Sequence, residues 1–179
     1  MSKRMVEPWE LAADVNERIK PGILLSTQVD GRFNTMVIGW GHIGVIWGEP
    51  YFVAYVRSSR FTYEQLLANP QFIVSLPAAG QLPPEVIRVA GTQSGRDLDK
   101  AAELGLSLVE PEAISVPAIA QYPLTIECEV TYHQEQDFSA LDPGVRDHYY
   151  HDNDGTHAEP QSALHTAFFG HILSSYAIE

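Results

Sequence analysis

The most regular pattern in the chain lies in residues 124–132, where Leu124, Ile126, Cys128, Val130 and Tyr132 alternate with Thr125, Glu127, Glu129 and Thr131. A period of two is that of a strand with one face in a core and the other toward solvent or a partner. Residues 51–56 are apolar almost throughout, as in a strand buried on both faces or closing a barrel. Residues 22–29 and 33–39 are two further apolar runs, and Asp30-Gly31 between them predicts a hairpin. Residues 72–76 predict another short strand. Residues 165–178, carrying Phe168, Phe169 and Tyr176, predict the last one.

Helical signals are fewer. Residues 8–20 form a mildly amphipathic lead-in that Pro21-Gly22 stops. Thr62-Tyr63-Glu64-Gln65 reads as a capping box opening a helix that ends before Pro70. Residues 78–84 are turn-rich and precede a helix up to Gly91. Ser94 is placed to cap a helix over residues 95–104, with Gly105 at its C′ site. Gly39, Gly41 and Gly44 punctuate the link before residue 51, as glycines do at bulges or where a ligand approaches the backbone. Residues 134–161 are polar and rich in Asp, His, Pro and Gly, which suggests a lid, a partner arm or a mobile segment. Many short strands with few helices predict one mainly β domain over residues 1–179, a closed or partly closed barrel with peripheral helices.

Composition narrows the partners. A formal charge of −12 argues against nucleic acid and against an anionic membrane surface, both of which need basic patches. It also makes the 11 basic residues informative, because Arg57, Arg60, Arg96 and Lys100 fall inside two short motifs. The single cysteine, Cys128, excludes an internal disulfide and reads as a buried small hydrophobe. No apolar run approaches the roughly 20 residues of a membrane span, and the first residues lack a signal-peptide core, so a cytoplasmic protein is expected.

Two adjacent stretches carry the candidate chemistry. Residues 57–62, Arg57-Ser58-Ser59-Arg60-Phe61-Thr62, place two guanidinium groups and three hydroxyls at the start of a helix. Arginine pairs bidentately with phosphate oxygens, and a helix N-terminus adds N–H donors and a favourable dipole. The alternative is a solvated polar turn. Residues 34–40, Asn34-Thr35-Met36-Val37-Ile38-Gly39-Trp40, offer strand backbone groups, an amide, a glycine and an indole, which suit a flat polar heterocycle as well as they suit a core strand. A ring binder joined to a phosphate binder suggests a mononucleotide such as FMN. Five of the seven histidines lie between His133 and His165, but their spacings match no metal-ligand pattern, and no metal site is expected.

The motifs N-T-M-V-I-G-W, Y-V-R-S-S-R-F-T and S-G-R-D-L-D-K occur in that order, and the chain from about Gly22 onward resembles the flavin reductase-like family of FMN-binding split barrels, flavoredoxin-type members included. The resemblance implies a Greek-key, six-stranded split β-barrel and a homodimer with each flavin at the interface. It implies that residues 57–62 hold the FMN phosphate, that residues 34–40 contact the ring, and that Lys100 and Phe168 belong to the flavin site. The alternative for Lys100 is a surface pair with Asp97. His171 stands after Phe169-Gly170 where relatives commonly carry an acid.

The activity so implied is hydride transfer from NAD(P)H, a transient reductant, through FMN to a second acceptor. That acceptor would be free flavin, a ferric complex, a quinone or a protein. A non-catalytic electron carrier of flavoredoxin type fits the same residues. No side chain is required as a catalytic acid or base, in keeping with the lack of a triad or carboxylate pair. Gly39-Trp40-Gly41-His42-Ile43-Gly44 matches G-x-G-x-x-G by letters, but it leads into an apolar extended run rather than a helix, so it is no dinucleotide fingerprint.

Overall fold

The computed structural model describes residues 1–150 and 163–179. In chain order the elements are β1 (Lys3–Met5), α1 (Pro8–Arg18), β2 (Ile23–Val29), β3 (Arg32–Ile38), β4 (Gly41–Ile46), β5 (Glu49–Arg57), α2 (Phe61–Ala68) and β6 (Gln71–Leu76). There follow α3 (Pro84–Thr92), α4 (Lys100–Glu103), β7 (Leu108–Val109), β8 (Ala118–Ile119), β9 (Leu124–Glu135), α5 (Pro143–Tyr149) and β10 (His165–Ile178).

The main sheet runs β3-β2-β6-β9-β10-β5-β4, with β1 added beside the end of β10, and β7 and β8 form a separate pair. Every pairing is antiparallel. The two ends of this path, β3 and β4, are consecutive in sequence and joined by only Gly39 and Trp40. Three residue steps span at most about 11 Å, so the sheet has to curl until its ends nearly meet. The result is an open, split barrel with a seven-strand path, against the six strands expected. β4, Gly41–Ile46, overlaps the apolar run read as extended after the glycines and is the added strand.

Both hairpins turn on two residues with positive φ. Asp30 and Gly31 stand at 49° and 76°, and Trp47 and Gly48 at 52° and 85°. Such turns match the twist of the flanking strands. The barrel interior is filled by Ile23, Leu25, Phe52, Phe72, Val74, Ile126, Cys128, Phe168 and Ile172, and Leu11, Val15 and Ile19 at the end of α1 close one side. Cys128 is fully buried as expected, and burial holds its thiol well above the ordinary range.

Four local expectations change. The second face of β9 is not open at Thr125 and Glu127, which are fully buried. The Glu127 carboxylate accepts hydrogen bonds from the Glu112 and Ala113 amides at 2.8 and 2.7 Å and from the Tyr176 hydroxyl at 2.7 Å, so the segment between β7 and β8 covers it. The polar stretch 134–161 is not one loop in its described part: β9 continues to Glu135, a 3-10 turn spans Phe138–Ala140, and α5 follows, capped by Asp142. Its His151 and His157 lie outside the described residues. Arg60, not Thr62, occupies the N-cap of α2, and no side chain caps it. In place of a helix over 95–104, turns lead into the four-residue α4, capped by Asp99. The reason is the same in the last two cases. Thr62, Gln65 and Lys100 bury their polar ends in tertiary contacts, which outweigh local capping preferences.

Candidate functional site

β3 and the start of α2 meet along one edge of the barrel, and Asn34 is their junction. Only 2% exposed, it donates from Nδ2 to the Thr62 hydroxyl at 2.8 Å. Its Oδ1 has no partner. Buried polar atoms are rarely left so. The amide can also be reversed, the Thr62 hydroxyl then donating to Oδ1, which turns an N–H donor outward. Asn34, Ser59, Arg60, Thr62 and Lys100 line a cavity of about 80 Å³ closed on its far side by residues 92–96. Gly95 is required in that wall. A Cβ there would fall 2.1 Å from Asn34 Oδ1.

Charge at this cavity is positive. Arg60 is exposed at its rim, and its guanidinium makes no hydrogen bond or ion pair among the described residues. The first turn of α2 supplies backbone N–H groups beside it. Lys100 is 3% exposed and donates to the Thr35 and Ala90 carbonyls at 2.9 and 3.1 Å. Among the described residues no carboxylate is paired with it. Burial, and secondarily the Arg60 charge, push its ammonium down to about 8. An ammonium has three donors, so one remains beyond the two carbonyls.

Met36 and Arg60 also line a second cavity of about 200 Å³ that runs along β3 through Val37, Ile38 and Gly39 to Trp40. Tyr55, Arg57 and His165 form its other wall, so this cavity occupies the split between β3 and β5. The Trp40 and His165 rings lie 4.3 Å apart and tilted by 33°. Tyr149 meets Trp40 edge-on at 5.1 Å. The Tyr150 hydroxyl donates to Gln136 Oε1 at 2.7 Å and lies 2.7 Å from His165 Nδ1. One hydroxyl proton cannot serve both, so with the Gln136 amide in this orientation Nδ1 carries the hydrogen and Nε2 keeps a lone pair. Burial, then the charges of Arg57 and Arg60, push His165 down to about 3, so the ring is neutral at physiological pH.

Twelve of the fifteen residues expected at the site line one or both cavities: Asn34, Met36, Val37, Ile38, Gly39, Trp40, Arg57, Ser59, Arg60, Phe61, Thr62 and Lys100. Three do not. Thr35 is buried behind the strand, where its Oγ1 receives the Ser26 hydroxyl at 3.0 Å. Ser58 donates its amide to the Leu164 carbonyl at 3.1 Å. Phe168 sits fully buried in the barrel core, packed edge-on to Tyr63 and stacked with His133.

Arg57 also differs in role from the expectation. It donates to the Ala163 carbonyl at 3.0 Å and the Tyr149 carbonyl at 3.4 Å, and lies 5.3 Å over the Tyr150 ring. It docks the α5 segment onto the barrel. Arg96 is drawn into an ion pair with Glu64. The surface pair of Asp97 with Lys100 is absent, because Lys100 points inward. Tyr55 and His165 are site residues that sequence reasoning missed. Tyr55 shares a face with Arg57 by strand parity, a usable signal. His165 is opposite Arg57 only through the β5–β10 register, which no local pattern encodes. Among the described residues no group of His, Cys, Asp and Glu is arranged to hold a metal ion.

Solved structures share this fold. Flavoredoxin of Desulfovibrio vulgaris (Miyazaki F) superposes with a TM-score of 0.62 at 23% identity, over 89% of this chain and 70% of that one. An NADH:FAD oxidoreductase of Streptomyces globisporus superposes with a TM-score of 0.62 at 16% identity, over 99% of this chain and 89% of its own. An uncharacterized protein of Pyrococcus abyssi is 29% identical over 98 residues, which is 54% of either chain. This chain therefore spans about half the length of that relative. Residues 19–175 match the flavin reductase like domain family, a span that takes in both cavities and, apart from β1 and the last three residues of β10, every strand of the barrel, and the chain belongs to that family.

Proposed function

We propose that this chain is an FMN-binding oxidoreductase that takes hydride from NAD(P)H and passes electrons to a second acceptor, which is free flavin, a ferric complex or a protein. The observation that carries the reading is the join between the two cavities. A small cationic cradle with an orphaned buried amide opens, across Met36 and Arg60, into a slot walled by strand backbone and aromatic rings. That suits a phosphate ester attached to a planar ring, with Ser59, Arg60, Thr62 and the α2 amides on the phosphate side and residues 36–40 on the ring side. FMN, when bound, supplies the hydride and one-electron chemistry. The protein's part is to bind, orient and exclude water. Lys100 places a positive charge at the inner end of the site, which favours negative charge developing there. Neutral His165 offers an acceptor nitrogen without repelling a cation.

The donor set supports FMN over riboflavin, because Arg60 and, with the amide reversed, an outward Asn34 N–H have nothing to meet on a flavin that lacks the phosphate. The test is anaerobic mixing of the flavin-loaded protein with NADH or NADPH. Rapid bleaching of the flavin, and nicotinamide oxidation in turnover with added acceptor, is the expected result. The slot's volume of about 200 Å³ lies below the roughly 300–1,000 Å³ of ordinary ligand pockets. A second reading, a non-catalytic FMN electron carrier, uses the same FMN contacts and lacks only nicotinamide turnover. Flavin that stays oxidised with nicotinamides yet is reduced by a protein or chemical electron donor would select it.

The same shortfall in volume supports a homodimer in which a second copy completes the site. Val45, Trp47, Tyr132 and Leu173 are 65%, 68%, 43% and 40% exposed in the single chain. The Trp47 and Tyr132 rings meet edge-on at 6.4 Å, and exposed large apolar side chains of this kind suit a protein interface.

A further inference from the structure

The wall that closes the smaller cavity, residues 92–96, has no regular structure of its own beyond the end of α3 and a turn, yet it must stand within contact distance of Asn34 to form a cavity at all. Its fixation comes from outside the cavity. Arg32, at the first position of β3, donates from Nη2 to the Gly95 carbonyl at 2.7 Å and to the Arg96 carbonyl at 2.5 Å. Its guanidinium lies 4.8 Å from the Phe61 ring centroid. Arg96 approaches the same ring at 5.6 Å, pairs with Glu64 of α2, and donates to the Ser59 carbonyl at 3.3 Å. Gln65 of α2 in turn donates to the Arg32 carbonyl at 2.8 Å.

Two guanidinium groups therefore share one phenyl ring and tie together three pieces of backbone: the start of β3, the N-terminal turn of α2, and residues 95–96. Those pieces are the three walls around the orphaned Asn34 amide. Both hydrogen bonds of Arg32 leave from Nη2 and end on backbone carbonyls, and its side chain lies outside the lining of the cavity. Cation–π contact and charge-assisted hydrogen bonds of this kind are geometrically specific, and they hold loops better than apolar contact alone. We propose that Arg32 is a positioning residue for anion binding: it does not touch the ligand, but fixes the Gly95 wall so that the Asn34 amide, the Ser59 region and Arg60 converge on a phosphate. Arg96, near the same Phe61 ring, serves the same latch through Glu64 and the Ser59 carbonyl, and so stands in the motif for a structural reason.

The inference rests on the FMN reading of the site, and the experiment separates the two. FMN and riboflavin are each titrated, by quenching of flavin fluorescence, into the full chain stripped of flavin, as wild type, Arg32→Met and Arg32→Lys. The expected result is that Arg32→Met weakens FMN at least tenfold while riboflavin changes less than twofold. Arg32→Lys, which keeps a donor for the two carbonyls, should recover most of the loss. An equal loss for both flavins, or none for FMN, overturns the positioning role. Wild-type protein that fails to prefer FMN over riboflavin overturns instead the phosphate reading beneath it. If Arg32→Met does not fold, Glu64→Gln on the exposed face of α2 releases Arg96 and puts the same question, with the same selective loss of FMN expected and its absence contradicting the latch.

Discussion

Arg57 and Arg60 lie three residues apart in one motif, yet their surroundings give them different work. Arg57 spends its donors on the Tyr149 and Ala163 carbonyls, whereas Arg60 faces both cavities with no ion pair among the described residues. Arg60→Ala should therefore weaken FMN by about 1.5–3 kcal/mol, the usual size of a hydrogen bond to a charged group, and leave riboflavin nearly unaffected. Fluorescence titration of both flavins measures this. Lys100 gives a pH signature. Its ammonium titrates at about 8 in the fold against an ordinary 10.5, so between those values the native chain binds fewer protons than the unfolded one. Stability from this group accordingly rises with pH across that window, and below it the buried charge is a full cost. In flavin-free protein, urea unfolding should show the wild type gaining on Lys100→Met from pH 8 to 10.5. Parallel pH profiles would contradict the buried charged amine.

At the scale of elements, the site depends on where β3 leaves off. The link through Gly39 and Trp40 carries the chain from one end of the sheet path to the other, and the slot lies beside that link. The α5 segment is held there by three contacts: Arg57, the Tyr149–Trp40 edge and the Tyr150 hydroxyl. Tyr150→Phe should cost about 1–3 kcal/mol, since it leaves the Gln136 oxygen and His165 Nδ1 without their partner. Tyr149→Phe, in a side chain 42% exposed, should cost little. Chemical denaturation of the two variants compares them directly. Strands were legible in the sequence where alternation marked β9, an Asp-Gly turn marked β2 and β3, and apolar or aromatic runs marked β5, β6 and β10. Helix starts were less so, because Thr62, Gln65 and Lys100 look like caps and surface residues until the fold supplies Asn34, Thr27 and the Thr35 carbonyl as partners. The short β1 exists only through pairing with the distant β10, and β7 and β8 only through pairing with each other. The motif residues of the site were legible through their chemistry and their likeness to a family, but the company of His165 and the burial of Phe168 follow from register and barrel curvature, which no local window contains.

For the whole molecule, a charge of −12 opposes self-association through polar surface, so a dimer would have to form through apolar surface such as that around Trp47. If a second copy completes the slot, flavin loss and dissociation are coupled by mass action. Sedimentation of flavin-loaded and stripped protein over a dilution series should then show the stripped form dissociating at higher concentration. A monomer that keeps one flavin per chain at every dilution would show the site to be complete in one subunit. The central claim is simpler than its architecture: the joined cavities hold FMN. The direct measurement is the visible absorption of the purified protein before and after addition of FMN, with any flavin released on denaturation identified by chromatography. The expected result is flavin absorption at up to one FMN per chain, retained through gel filtration. Protein that is colourless as purified and stays colourless after incubation with FMN and gel filtration would contradict the account.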